Sequence, residues 1–333
     1  MSTHSSSSEK DRSPGLTAYL GKRILEGGTL EQPVHLAIGM FDGVHVGHQA
    51  VIHEAIKASQ AQPGSLSGVL TFDPHPSQVL RPDQATALLM PLEQRVERML
   101  EVGIDKVFVF PFTREFAAGE ASEFVPTLRS WFPMLKSLYV GENFRFGAMR
   151  SGNVDTLTET AGPLDIRVGV LRRKSYQGEP ISSSAIRASL AQGEMSAVNS
   201  MLGSPYRISG TIIAGKKVGR GLGFPTVNIS WNPEALPRLG VYRVEASDMA
   251  SGDKFCGIAN YGLHPTVSEA ASPLLEVHFL DGSEFPTTGD KLEVSLLEFI
   301  RPEMKFSSME ALQEQIRRDV EAVKAKDADT NPG

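Results

Sequence analysis

The sequence predicts an α/β fold in two parts. A doubly wound parallel sheet with helices on its faces comes first, and a small antiparallel β-barrel with one terminal helix follows. Two changes of pattern carry this expectation. Between residue 34 and about residue 172, short β-branched runs alternate with helical patterns, the order that yields parallel strands joined by crossover helices. Beyond a helical stretch at 183–203, apolar runs succeed one another with only turns between them, which favours an antiparallel barrel. A chain of 333 residues can bury one core in each part.

The elements follow in order. Strands are expected at 34–40, 68–72, 106–112, 137–141 and 166–171, each a short Val/Ile/Leu/Phe-rich run of the kind that parallel strands buried on both faces require. Between them, residues 50–59 read as a helix. Residues 91–103 set Leu92, Val96, Met99 and Leu100 at helical spacing with Gly103 as a C-cap. Residues 120–130 read as a further helix. The barrel strands are expected at 206–215, 240–247, 254–262, 274–281 and 291–300. The closing helix carries Leu312, Ile316, Val320 and Val323 as one apolar stripe, with Ser307 and Glu310 at capping-box spacing. Residues 1–15 are serine-rich and expected to be a disordered tail. The domains are then 16–203 and 204–326, with 327–333 frayed.

Bulk properties exclude several classes of function. A net charge of −6 offers no broad basic surface, so no nucleic-acid partner is expected. The single cysteine, Cys256, permits no internal disulfide framework and fits a reducing compartment. No apolar run approaches the roughly 20 residues that span a bilayer. The first residues lack an apolar core after their charges and are not expected to act as a secretory signal. A cytoplasmic protein without a membrane partner is the expectation; a homo-oligomer is left open.

The most informative run is 38–49, IGMFDGVHVGHQ. Its position between a strand and a helix puts His45 and His48 at a helix N-terminus, where free N–H groups and the positive dipole end suit phosphate. Gly39, Gly43 and Gly47 permit close backbone approach. Phe41 and Asp42 complete the turn. Together these residues form a candidate polyphosphate cradle for nucleotide transfer, with imidazoles as donors to phosphoryl oxygens. A metal site is the alternative, but no third His or Cys stands at a recognisable spacing. Further along, Ser182, Ser183 and Ser184 are good N-caps ahead of a helical pattern, and Arg187 offers a planar fork to phosphate or, equally, a surface charge.

The run at 38–49 resembles the nucleotidyltransferase signature of bacterial bifunctional riboflavin kinase/FAD synthetases. Other segments follow in the family's order. TFDPHP (71–76) is similar to its Phe-x-Pro-His-Pro segment, Phe112 and FAAGEASEF (116–124) to its next block, GENFRFG (141–147) to its flavin-nucleotide segment, and ISSSAIR (181–187) to its serine/arginine motif. The resemblance implies a Rossmann-like domain that joins FMN to the adenylyl group of ATP. His45 and His48 would be its catalytic donors, and His75, Asn143 and Arg145 its flavin contacts. The ATP phosphates would lie against Gly39, Phe41, Asp42, Gly43, Gly47, Ser182, Ser183, Ser184 and Arg187. The attacking phosphate is already ionised, so positioning and electrostatics matter more than a strong base.

In the second part, residues 215–228 read GKKVGRGLGFPTVN. Gly215, Lys216, Gly219, Arg220 and Gly223 form a glycine- and cation-rich loop suited to covering phosphates, although a simple Gly/Lys turn has the same composition. The Phe224-Pro225-Thr226-x-Asn228 continuation resembles the riboflavin kinase motif. By that resemblance Thr226 and Asn228 hold Mg2+ with ATP, and oxygen donors suit that ion. Glu276, in LEVHFLD (275–281), matches the family's catalytic glutamate, which accepts the proton of the ribityl hydroxyl. Alternation alone leaves it equally an outward-facing strand carboxylate. Residues 260–266 (NYGLHPT) and 301–306 (RPEMKF) resemble two further family segments. This chain departs from the family at 282–289, where an acidic run ending in Asp-Leu-Tyr-Gly is replaced by GSEFPTTG. Phe285 is the aromatic residue left there. His264 replaces a common arginine, and Met40 a common asparagine.

The resemblance spans about residues 33–325 and implies two activities, riboflavin phosphorylation and FMN adenylylation. Its ligands are riboflavin, FMN, FAD, ATP and Mg2+. Rival readings are an adenylyltransferase whose kinase half is weakened by the 282–289 change, a nucleotidyltransferase for another phosphorylated acceptor, and a non-catalytic flavin-nucleotide binding protein.

Overall fold

The structure, a computed structural model, describes residues 17–20, 23–26, 31–215, 223–263, 273–280 and 286–330. The expected tail at 1–15, the loop residues Lys216, Gly219 and Arg220, and His264 and Phe285 of the departures lie outside the described residues.

The chain forms two compact units, one reaching residue 174 and one beginning at residue 175; residues 88–90 belong to the second. In the first unit, five parallel strands are β3 (Val34–Ile38), β4 (Leu66–Asp73), β5 (Lys106–Pro111), β6 (Leu135–Gly141) and β7 (Arg167–Leu171). They lie in the order β5-β4-β3-β6-β7. An edge hairpin of β1 (Thr17–Leu20) and β2 (Arg23–Glu26) extends the sheet, β1 pairing antiparallel with β5. This hairpin was not legible in its sequence. The strand order reverses between β3 and β6, and such a switch point opens a crevice beyond the carboxyl ends of the strands.

Helices α1 (Val46–Gln60), α2 (Pro76–Leu80), α3 (Leu92–Glu101), α4 (Arg114–Ala117), α5 (Phe124–Trp131) and α6 (Val154–Ala161) connect the strands. Burial explains the strand sequences: every residue of β3 is buried, as are all but the ends of β4 and β5. One face packs Leu36, Ile38, Leu70, Phe108, Leu128, Leu138 and Leu157 into a single apolar cluster. Phe110 stacks on Trp131 at 4.2 Å, and Phe116 joins both, so the aromatic residues at 110–116 build core.

In the second unit, β10 (Tyr206–Ile213), β11 (Val227–Ser230), β12 (Gly240–Asp248), β13 (Lys254–Leu263), β14 (Pro273–Phe279) and β15 (Lys291–Pro302) close into an antiparallel barrel in the order β10-β11-β14-β13-β12-β15. A small hairpin, β8 (Ser175–Tyr176) with β9 (Glu179–Pro180), precedes it. Alternation fills the barrel: Leu275, Val277 and Phe279 are buried on one face of β14, with Ile229, Ala259 and Tyr261 as interior neighbours. Strand β11 is a sixth strand, which begins at the last two residues of the FPTVN motif.

Helices α7 (Ser183–Gln192) and α8 (Met195–Leu202) belong with the barrel, below the expected domain limit at 203/204. Asn199 explains why. Its Nδ2 donates to the carbonyls of Leu296 (3.0 Å) and Leu297 (3.4 Å), and its Oδ1 accepts from Tyr206 N–H.

The terminal helix α9 (Met309–Thr330) lays Ile316, Val320 and Val323 on Val241 and Ile258 of the barrel. Asp319 is buried on that face and receives Arg301 through Nε (2.9 Å) and Nη2 (2.8 Å), while Gln315 donates to it at 2.9 Å. Removing one partner of such a buried pair strands the other's charge. Arg301→Met is therefore expected to cost the second unit about 3 kcal/mol, most of it regained in Arg301→Met/Asp319→Leu. Denaturant unfolding followed by circular dichroism reads both variants, and an unchanged single variant would remove the clamp.

Candidate functional site

Strand β3 ends at Ile38, and the next residues turn sharply before α1 begins. Phe41 (φ 51°), Gly43 (φ 83°) and Val44 (φ 43°) all occupy the left-handed region. Two of these are not glycine, and one is β-branched; such conformations cost on the order of 1 kcal/mol or more each. The turn is held by Val44 N–H to Phe41 C=O at 3.0 Å and by the Gln49 carboxamide donating to Val44 C=O at 2.9 Å.

His45 is the N-cap of α1. Its Nδ1 accepts the backbone N–H of His48 at 3.2 Å, so the neutral ring carries its proton on Nε2. The two imidazoles stack at 3.5 Å and 15°, with the edge of Phe41 against His48 at 5.3 Å. Burial pushes His45 down to about 4. His48 is pushed well below 6.5 by burial, by His45 and by Arg95. Both rings are therefore neutral at pH 7. They offer N–H dipoles at the N-terminus of α1, where His45 already accepts the His48 and Gln49 amides, and do not act as cations.

The glycines of this turn serve the turn itself. A Cβ on Gly39 would meet the Phe41 ring at 3.1 Å, and one on Gly47 would meet the His45 ring at 3.1 Å. The expected close approach to a ligand is, at these two positions, an approach by the loop's own side chains. Asp42 is 3 % exposed and lies close enough to Arg95 to favour its charged form.

The segment after β4 caps α2. His75 Nδ1 accepts from Ser77 N–H at 3.1 Å while Gln78 reaches back to His75 N–H at 3.0 Å. After β6, Asn143 and Arg145 are exposed, whereas Phe144 and Phe146 stack on each other and on Phe124. Oriented to satisfy both groups, the Asn143 amide oxygen accepts from Arg173 Nε at 2.7 Å and Nη2 at 2.8 Å. His45, His48, His75, Asn143 and Arg145 all follow carboxyl ends of neighbouring strands. Ser182, Ser183, Ser184 and Arg187 fall in the second unit. Ser182 caps α7 by accepting Ala185 N–H, and Ser184 Oγ accepts from Arg187 Nη2 at 3.2 Å.

In the barrel, strand register brings two expected residues together. Glu276 stands directly opposite Asn228 on one side and Asn260 on the other. Residues opposite each other share a face, so the three form one polar row on the outer surface, away from Leu275 and Val277. The motif's glutamate and asparagine are adjacent. Asn260 is a member of the row that register alone supplies.

Asn228 is 5 % exposed, and its Oδ1 is buried without a hydrogen-bond partner among the described residues. Its Nδ2 lies where a side chain on Gly215 would be, 1.5 Å from an added Cβ. Gly215 is thus required by Asn228. Gly223 is exposed at φ 83° and opens the turn into Phe224. His278 donates from Nδ1 to Pro225 C=O at 2.8 Å and meets the Phe224 ring edge-on, pinning the segment that carries Thr226. An amide oxygen with no protein partner among the described residues, across the ladder from a carboxylate, is a hard-oxygen donor pair whose chemistry fits Mg2+.

A doubly wound sheet with a histidine-capped helix at its switch point, joined to a closed barrel with a carboxylate–carboxamide row, defines a two-domain nucleotide-dependent transferase. Residues 29–185 match the family model described as FAD synthetase, and residues 202–326 that described as riboflavin kinase. The chain belongs to the family of bifunctional riboflavin kinase/FMN adenylyltransferases. It is 36 % identical over 297 residues to the member from Listeria monocytogenes, covering 87 % of this chain and 91 % of that one. It is 38 % identical over 291 residues to that from Haemophilus influenzae, covering 87 % and 93 %. A crystal structure from Streptococcus pneumoniae, described as a macrolide-efflux protein, superposes with a TM-score of 0.79 at 26 % identity over 89 % of this chain and 95 % of that one. Among the described residues, no helix is long and apolar enough to cross a membrane.

Two expectations follow. Between pH 6.5 and about 4 the unfolded chain binds a proton at residue 45 that the folded chain refuses. Stability is complete above pH 6.5 and falls as pH drops through that window, by up to about 3 kcal/mol from this residue. His45→Gln should flatten the fall in urea titrations at pH 7.5, 6 and 5; an unaltered slope would place the penalty elsewhere. Gly215→Ala should displace Asn228 and lower second-unit phosphoryl transfer at least about tenfold, leaving first-unit chemistry unaffected.

Proposed function

We propose that this chain phosphorylates riboflavin to FMN with ATP and then transfers the adenylyl group of a second ATP to FMN, giving FAD and pyrophosphate. The observation that carries the reading is the separation of two reactive groups of residues. The stacked His45/His48 cap lies in one unit and the Asn228–Glu276–Asn260 row in the other. One family model matches each stretch. The transferase domain is assigned to 16–203 and the kinase domain to 204–326, limits read from the sequence motifs, whereas the compact unit that holds the barrel begins at residue 175.

In the kinase half, Glu276 accepts the proton of the ribityl 5′-hydroxyl as its oxygen attacks the γ-phosphorus of ATP. Asn228 and Thr226 would hold Mg2+ through their oxygens, and the ion would neutralise phosphate charge when bound. Lys216, Gly219 and Arg220 cover the phosphates, with Gly223 giving the loop its turn.

In the transferase half, an FMN phosphate oxygen attacks the α-phosphorus of ATP in line, and pyrophosphate leaves. The His45 Nε2–H and the His48 ring donate to phosphoryl oxygens as charge grows there, and the first-turn amides of α1 add their dipoles. Neutral imidazoles suit this task, since donation requires an N–H and no proton need be lost. His75, Asn143 and Arg145 contact the flavin nucleotide. Ser182, Ser183, Ser184 and Arg187 carry the phosphate-binding role that the serine/arginine motif implies. A cytoplasmic location fits substrates that are themselves intracellular nucleotides.

The test is incubation of the purified chain with riboflavin, ATP and Mg2+, with flavins separated by chromatography. FMN and then FAD should appear; FAD from added FMN alone would leave the kinase half inactive. Glu276→Gln should lower FMN formation by about 10²-fold or more and spare FAD formation from FMN. His48→Ala should do the reverse, at about 10²-fold. Equal loss of both activities in either variant would contradict separate sites.

A further inference from the structure

Arg95 is the largest fully buried side chain among the described residues, 0 % exposed, and neither motif includes it. It stands on the inward face of α3, beside the buried Val96 and Met99. Its Nη1 donates to the carbonyl of Met40 at 3.2 Å, in the turn that leads to His45. Its Nη2 donates to the carbonyl of Phe72 at 3.2 Å and approaches Asp73 Oδ1 at 3.4 Å, in the segment that leads to His75. Thr71 Oγ1 also donates to Met40 C=O at 3.2 Å. The charges facing the guanidinium are Asp73, Asp42 and, more weakly, Glu93.

Burying a guanidinium is a poor way to gain stability, because desolvation costs several kcal/mol and an apolar residue in its place is often neutral or better. Among the described residues, the Nε of Arg95 lacks even a hydrogen-bond partner. What the residue does supply is geometry. One planar fork joins the backbone after β3 to the carboxyl end of β4, which sets the spacing of the His45/His48 turn from the His75 turn.

We propose that Arg95 is a positioning residue for adenylyl transfer, holding the donor turn and the acceptor-side turn at a fixed separation through the Met40 and Phe72 carbonyls. The inference rests on the adenylyl-transfer reading of the first unit.

Purified full-length wild type, Arg95→Met and Arg95→Lys are compared for FAD formation from FMN and Mg-ATP, with riboflavin phosphorylation measured on the same samples. Arg95→Met is expected to lower kcat for FAD formation about 50-fold with both KM values within about threefold, because misplacement affects the transition state more than ground-state binding. Arg95→Lys, which keeps the cation and can reach a carbonyl, is expected to return kcat to within about fivefold of wild type. Arg95→Met turning over within about twofold of wild type overturns the proposal, as does Arg95→Lys as slow as Arg95→Met. If Arg95→Met does not fold, Arg95→Gln replaces it, with kcat expected near a tenth of wild type and the same overturning result. A wild type that forms no FAD from FMN refutes the adenylyl-transfer reading itself and is distinguishable from either outcome.

Discussion

One hydrogen bond organises the first unit's chemistry. When His45 Nδ1 accepts the His48 N–H, it caps α1, leaves the ring proton on Nε2 and lays one imidazole on the other. Each consequence depends on the same bond. Without the cap the helix loses a satisfied first-turn donor, a loss of about 1 kcal/mol. Without the fixed tautomer, the ring has no defined donor direction. The left-handed Phe41 and Val44 are strained so that the chain can leave β3 and present His45 to that position.

The barrel solves its problem differently. Its polar row is set by strand register, with Glu276 between Asn228 and Asn260, and a one-residue slip in β14 would turn Glu276 into the core. Register is therefore protected by the buried face: Leu275, Val277 and Phe279 must lie inward if Glu276 is to lie outward. A helix terminus creates a site from loose backbone donors, whereas a closed barrel creates one from side chains ranked along a face.

Much of this was legible before any coordinates. The alternation of strands and helices predicted the sheet, and the run of strands the barrel, because burial on both faces and on one face leave different patterns in sequence. The His45/His48 turn stood out by residue type and context, whereas Glu276 and Asn228 were singled out through the family motifs, since alternation alone left Glu276 equally an outward-facing carboxylate. Strand β11 was not legible, because it is only four residues long and begins within a motif that reads as a loop. Arg95 was not either: a charged residue on an amphipathic helix reads as solvent-facing, although its neighbours Val96 and Met99 mark the face as buried. Nor does sequence say which atom fills the space beside a glycine. At Gly39, Gly47 and Gly215 the occupants are Phe41, His45 and Asn228, and only coordinates reveal them.

The attachment of α8 to the barrel through Asn199 has a practical side for anyone wishing to dissect the chain. A scissile point between 203 and 204 severs Asn199 from its acceptors on β15 and from Tyr206, leaving open the carbonyls of Leu296 and Leu297. A fragment begun near 175 keeps that seam intact. The natural module is thus longer than the barrel, and its first two helices are its foundation.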